Sequence, residues 1–279
     1  LIEKFAATIL IDDQSDEPAM KGEHGFSVWI EADDKRFLFD TGQSAAFFYN
    51  AEKLGISPHL ADMLVLSHGH YDHTGGLPEL VKRNPSLFVS SHPDVFMPRY
   101  SRQFDGKMKP IGISKDAENA LNQVDKFNFS VIAPLHLSAG IGISGPVPRV
   151  VRSEDTGGAF FLDPLGKNPD PIHDDMAMWF STTEGLIIVT GCCHSGLMNT
   201  IKLIQSLNVG KPLYAIIGGF HLAIASPERL RETCDFLQST GVRRIMPCHC
   251  TGNGATLALE ARFGQKIKRG KTGARFFLQ

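Results

Sequence analysis

Between Ser67 and Leu77 the chain reads Ser-His-Gly-His-Tyr-Asp-His-Thr-Gly-Gly-Leu, gathering three imidazoles and a carboxylate at His68, His70, Asp72 and His73. These are borderline donors, suited to Zn²⁺ and its neighbours in the first transition row. In extended or turning backbone His68 and His70 project to one side and can chelate one ion. Asp72 and His73 lie further round the turn and can serve a second, a few ångström away, as in two-metal hydrolysis. The alternative is a polar loop that happens to be rich in histidine. The apolar run Met63-Leu64-Val65-Leu66 before the cluster reads as a buried strand, and Gly75-Gly76 after it permits a tight turn. The cluster is therefore expected on a loop at a strand end, held by a scaffold and open to substrate.

Three further histidines follow the same plan of strand, small residues, then imidazole. They are His194 in Thr-Gly-Cys-Cys-His-Ser-Gly, His221 in Gly-Gly-Phe-His-Leu, and His249 in Pro-Cys-His-Cys-Thr-Gly. One of them alone would read as a satisfied core residue. Three at equivalent strand ends, in a chain with a metal-type loop, are expected to converge on one face.

The elements that must position these groups alternate in type. Residues 1–10 read as a first strand, without the basic start and long apolar stretch of a secretion signal; the first residue is not Met, so a trimmed beginning is expected. Residues 26–30 and 37–39 form a hairpin. A helix carries Phe47, Phe48, Ala51 and Leu54 and ends at Gly55, and another runs from about Leu77 to Asn84-Pro85. Leu87–Ser90, Phe129–Ile132 and Arg149–Val151 read as strands, with a short helix near 115–123. The segment at about 92–125 reads as an insertion that covers part of the site or forms a peripheral flap. Beyond it, strands at 176–180, 186–189, 213–217 and 244–246 alternate with helices carrying Leu197, Ile201, Ile204 and Leu207, and starting at Ser226-Pro227. Two halves with one plan, packed sheet on sheet with helices outside, give an α/β fold: an αββα sandwich of two mixed β-sheets, expected as a single domain over 1–279.

Composition excludes some classes. The chain has 279 residues, 42% hydrophobic and 21% charged, with a net charge of −2. Nothing favours nucleic acid or an acidic membrane, and no apolar run approaches a membrane span. A small-molecule substrate, phosphorylated or not, remains, and the oligomeric state is left open. Five cysteines, two of them adjacent, make a poor disulfide framework and point to a reducing compartment, the cytoplasm. Cys234 reads as a core thiol on a helix face.

Phe39-Asp40-Thr41-Gly42, the stretch from Leu66 to Leu77 and the later histidines together resemble the metallo-β-lactamase superfamily. The three later motifs are similar to its metal-dependent hydrolase subgroup. Some archaeal members of that subgroup are assigned to pterin biosynthesis, joining a dihydropterin methyl group to a ribofuranosyl-aminobenzene phosphate. The resemblance implies one ion held by His68, His70 and a later histidine, and a second by Asp72, His73 and His249. Where the family has a bridging aspartate this chain reads Gly191-Cys192, with His194 as the candidate replacement ligand. Cys192 is left as a buried neighbour of the ions or a thiolate ligand. Asp40 fits a carboxylate behind a ligand, orienting a histidine. His221 is a ligand or a donor to a substrate oxygen, and Asp72 a ligand or, with a single ion, a general base. Flavodiiron relatives carry glutamate at the position of His70, so the imidazole pair favours zinc, with manganese or iron compatible. Arg149 and Arg152, and Arg99 and Arg102 in the insertion, are candidates for holding a phosphate or carboxylate, or are simply solvated. The expectation is a metal-dependent hydrolase of a small ester or phosphoester. A pterin-type synthase and a metal-binding sensor without turnover are the alternatives.

Overall fold

The structure, a computed structural model, describes residues 1–124, 127–128 and 131–278. The first half runs β1 (Phe5–Ile11), β2 (Ser27–Ala32), β3 (Lys35–Phe39), α1 (Ala46–Lys53), β4 (Met63–Val65), α2 (Tyr71–Thr74), α3 (Leu77–Arg83) and β5 (Phe88–Ser90). There follow β6 (Tyr100–Arg102), β7 (Met108–Pro110), α4 (Lys115–Leu121), β8 (Phe127–Asn128), β9 (Leu135–Ser138), β10 (Ile141–Ile143) and β11 (Phe160–Phe161). The second half has β12 (Ala177–Thr182), β13 (Gly185–Thr190), α5 (Leu197–Leu207), β14 (Leu213–Gly219), α6 (Pro227–Ser239), β15 (Arg244–Cys248), α7 (Asn253–Phe263) and β16 (Arg275–Phe277).

One sheet has the order β16-β1-β2-β3-β4-β5-β8 and the other β15-β14-β13-β12-β10-β9. In each, antiparallel hairpins lead into a parallel set: β3 to β8 in the first, β13 to β15 in the second. The period-two alternation of the strands builds the layers. Val28, Ile30, Phe37, Phe39, Met178, Phe180, Ile187 and Val189 face each other between the sheets. Their neighbours Trp29 and Leu38 turn outward under α1, α3 and α4. Trp179 and Ile188 turn outward under α5, α6 and α7. Helix, sheet, sheet, helix is thus the observed order, with the apolar stripe of each helix closing one outer face.

Two strand expectations differ from the structure, and two strands were not expected. Of the run 129–132, residues 129 and 130 lie outside the described residues, while Val131 and Ile132 are not in a strand. The strands of this region are β9 and β10. They were hidden by Gly142, which looks like a breaker; a side chain there would overlap the indole of Trp179, so the glycine is what lets Trp179 lie across the strand. Arg149–Val151 is irregular, its amides at 150 and 151 donating to Asn199 Oδ1 at 2.9 and 2.8 Å.

The segment 92–125 divides in two. β6 and β7 join β11 in a small antiparallel sheet, and Tyr71 N donates to Ile111 O just past β7, tying that sheet to the histidine loop. α4 instead buries Ala117, Ala120 and Leu121 in the outer core with α3. Among the described residues no helix is long and apolar enough to cross a membrane.

Phe180 is fully buried between the sheets, 4.9 Å ring to ring from Phe5 and 6.0 Å from Phe37. Phe180→Ala is expected to cost about 3–5 kcal/mol. Urea unfolding checks this, and a loss below about 1 kcal/mol contradicts the packing described.

Candidate metal centre

Four parallel strands end at one edge of the sandwich, and each delivers site residues. β4 runs into Ser67, His68 and His70, and the single turn of α2 adds Asp72 and His73. β13 ends at Cys192 and His194, β14 at His221, and β15 at His249 and Cys250. Asp40, Cys193, His221 and His249 have φ of 58°, 58°, 46° and 44°. Such left-handed residues other than glycine are costly, and they cluster here because the chain must turn sharply to aim side chains inward.

The rings converge. His68 Nε2 lies 2.9 Å from His70 Nδ1. Ring centroids of His194 lie 4.8 Å from His68, 4.9 Å from His70 and 4.2 Å from His221. Cys192 Sγ is 3.2 Å from His73 Nε2. Asp72 Oδ2 is 3.4 Å from His249 Nε2 and 3.2 Å from His24 Nε2. Donor atoms of His68, Cys192 and His194 lie within 4.8 Å of one another, as do those of His73, Cys192 and His249.

The outer side of each ring fixes what faces inward. Asp40 Oδ2 accepts from His73 Nδ1 at 2.7 Å and from Ser67 Oγ at 2.6 Å. Having spent its proton on Asp40, Ser67 Oγ accepts from His68 Nδ1 at 2.8 Å. The Thr156 carbonyl accepts from His194 Nδ1 at 2.9 Å, and Asp13 Oδ1 from His249 Nδ1 at 2.6 Å. Each of these four rings therefore turns its Nε2 toward the middle. His194 Nε2 is buried without a partner, as is His70 Nε2.

Burial holds His68, His70 and His194 well below the usual histidine range, and neighbouring imidazoles add to the effect, so these rings are neutral, the form that binds metal. Burial also presses on His73, but Asp40 and Asp72 outweigh it and raise the ring; at His249, Asp13 and Asp72 do the same. Burial alone would raise Asp72, yet His73 and His249 hold it well below the usual carboxylate range. Inward nitrogens, an ionised carboxylate and one sulfur make a donor set fitted to a divalent transition ion.

Several expected roles are revised. Cys192 does not stand behind the rings; its sulfur sits among them. Arg99 is no anion holder: it is buried, bidentate to Asp174 at 2.9 and 2.6 Å and 3.0 Å from Asp170. Asp174 in turn accepts from Gly69 N at 2.8 Å, so the pair pins the histidine loop. Arg149 donates to the Pro171 carbonyl, Arg102 to that of Gly166, and neither they nor Arg152 line the pocket. The pocket, about 240 Å³, is lined by His70, His194, His221 and His249 together with His24, Tyr71, Ser101, Gln103, Lys109, Phe160 and Cys250. Lys109 is its cation. These residues carry no spacing signal, although Asp13 and His24 stand in a polar loop directly after an apolar strand.

The metallo-beta-lactamase superfamily model matches residues 20–194. The chain belongs to that superfamily. It is 30% identical over 257 residues to the 7,8-dihydropterin-6-methyl-4-(beta-D-ribofuranosyl)-aminobenzene-5'-phosphate synthase of Methanocaldococcus jannaschii, covering 88% of this chain and 87% of that one. The crystal structure of Tm1679, described as a metal-dependent hydrolase of the beta-lactamase superfamily, is 29% identical with a TM-score of 0.83 over 99% of both chains. Zn(2+)-bound PqqB from Methylobacterium extorquens shares the fold, with a TM-score of 0.60 over 98% of this chain and 100% of that one at 12% identity.

Removing the Asp40 carboxylate frees both Ser67 and His73 from their acceptor. Asp40→Ala is expected to weaken zinc binding about 10–100-fold, measured by competition with a chromophoric chelator; unchanged affinity contradicts the orienting role. Arg99→Leu leaves Asp174 and Asp170 buried and unpaired, and about 3–5 kcal/mol of stability should go with it. A denaturation midpoint equal to that of the parent chain would refute the pinning of the loop.

Proposed function

We propose that this superfamily member is a metal-dependent hydrolase of a small ester or phosphoester, working at a two-ion centre. The observation that carries the reading is the convergence of imidazole nitrogens in which four rings, His68, His73, His194 and His249, have the outer nitrogen committed to an acceptor. His68, His70 and His194 would hold one ion, Asp72, His73 and His249 the other, with Cys192 between them. Zinc suits this donor set best, with manganese or iron as competitors. Bound there, a pair of divalent ions would make water acidic enough to attack at neutral pH. Asp40, Ser67, Thr156 and Asp13 hold the rings in the tautomer that leaves the inner nitrogens free. His24, half-exposed at the mouth, lies 3.2 Å from Asp72 and joins the centre to the pocket entrance. Lys109, with Ser101 and Gln103, offers an anchor for a phosphate or carboxylate. Phe160 lies 5.5 Å from the His70 ring and 5.3 Å from His194 and gives the pocket an apolar wall. The unpaired cysteines suit the cytoplasm.

A second reading is condensation rather than hydrolysis. It is favoured by the 30% identity to a named synthase over most of the chain, and by the Phe160 ring in the pocket wall, an apolar face on which a planar heterocycle could stack.

The test supplies zinc-loaded protein with an aryl phosphodiester and, separately, with a dihydropterin and a ribofuranosyl-aminobenzene phosphate. Ester hydrolysis is expected. It should fall at least about 100-fold in His70→Ala, because a lost ligand costs no less than a lost supporting residue. Condensation product without ester hydrolysis overturns the first reading for the second, and inertness toward both overturns the enzyme.

A further inference from the structure

The two ions proposed above leave Cys250 and His221 unused. Both stand at strand ends beside Cys192: Cys192 after β13, His221 after β14 and Cys250 after β15. The two sulfurs and a ring nitrogen of His221 lie within 4.8 Å of one another. The Cys250 thiol is also 3.6 Å from the Cys192 carbonyl. All three residues line the pocket, so the cluster is reached from solvent without opening the fold.

The surroundings are cut to this cluster. At Gly219 a side chain would collide with Cys250 Sγ and with the Gly191 carbonyl. At Gly157, φ 77°, it would collide with the His221 ring. Two glycines thus make the room that the sulfur and the imidazole occupy. His221 itself is held at φ 46°, and its Nδ1 is buried with no hydrogen-bond partner. An unpartnered buried nitrogen beside two thiols is costly unless the group has something to bind.

We propose that Cys192, His221 and Cys250 form a third, sulfur-rich position for a thiophilic divalent ion such as zinc, joined to the histidine centre through the Cys192 sulfur. It rests on the two-ion reading only through that shared atom. Two sulfurs and one imidazole are the donors of zinc and cadmium sites rather than of manganese or magnesium sites. On binding, each thiol gives its proton to solvent, and no electron is transferred. Three protein donors leave a coordination position facing the pocket. Of the two roles open to His221, this assigns it that of ligand.

Cobalt is the probe. Loaded onto the intact chain, it should give visible bands from the histidine centre and a near-ultraviolet thiolate-to-cobalt charge-transfer band. Cys250→Ser and His221→Ala are each expected to bind one cobalt fewer per chain and to lose most of the near-ultraviolet band while keeping the visible ones. An unchanged count and band in both variants overturns the position, as does a band lost only in Cys192→Ser. Absence of every cobalt band from the parent chain overturns the histidine centre as well, so the two failures are distinguishable. Cadmium NMR of the unaltered chain needs no variant: a strongly downfield, sulfur-ligated resonance is expected, and resonances only in the nitrogen and oxygen range overturn it.

Discussion

An imidazole can offer a lone pair on one nitrogen only if its proton is kept on the other, and the site is organised around that constraint. The Asp40 carboxylate serves His73 directly and His68 through Ser67, Asp13 serves His249, and a main-chain carbonyl serves His194. Without these acceptors the rings would be free to flip or change tautomer, and the inward donors would scatter. With them, His68 Nε2 and His70 Nδ1 are held 2.9 Å apart, close enough that they must share a proton or face one cation.

Holding that arrangement sets demands on the fold. Carboxylates must be buried, and buried charge needs partners. Asp40 is fully enclosed but accepts three hydrogen bonds, two from Ser67 and one from His73. Asp174 is enclosed because Arg99 neutralises it while it grips the backbone at Gly69. The two sheets supply the rigidity: each ends its parallel strands at the same edge, so groups far apart in the chain meet with little freedom. The small sheet of β6, β7 and β11 then roofs the pocket with Ser101 and Phe160 and keeps Lys109 near its mouth.

Much of this was legible before any coordinates. The strand–turn–histidine pattern located the histidine loop and His194, His221 and His249 at strand ends, and the repeated strand and helix plan gave the layered architecture. What stayed hidden depends on contacts that no local pattern reports. Asp13 meets His249 across 236 residues, and Arg99 meets Asp174 across 75. Arg99 was read as an anion holder or a solvated side chain because an arginine in a loop carries no mark of the aspartates that will bury it. β9 and β10 were missed because Gly142 reads as a breaker until Trp179 is seen lying over it. Cys192 was left open between a buried neighbour and a thiolate ligand because a cysteine in place of a bridging aspartate has no spacing rule; its sulfur lies among the rings, 3.2 Å from His73 Nε2.

The most direct measurement is anomalous diffraction from a crystal of the purified chain, recorded at the absorption edges of zinc, manganese and iron. Strong peaks are expected among His68, His70 and His194 and among Asp72, His73 and His249, with Cys192 between them; a further peak beside Cys250 would belong to the third position. A pocket with no anomalous peak at any edge, in protein whose elemental analysis also finds no bound transition metal, would contradict the account at its centre.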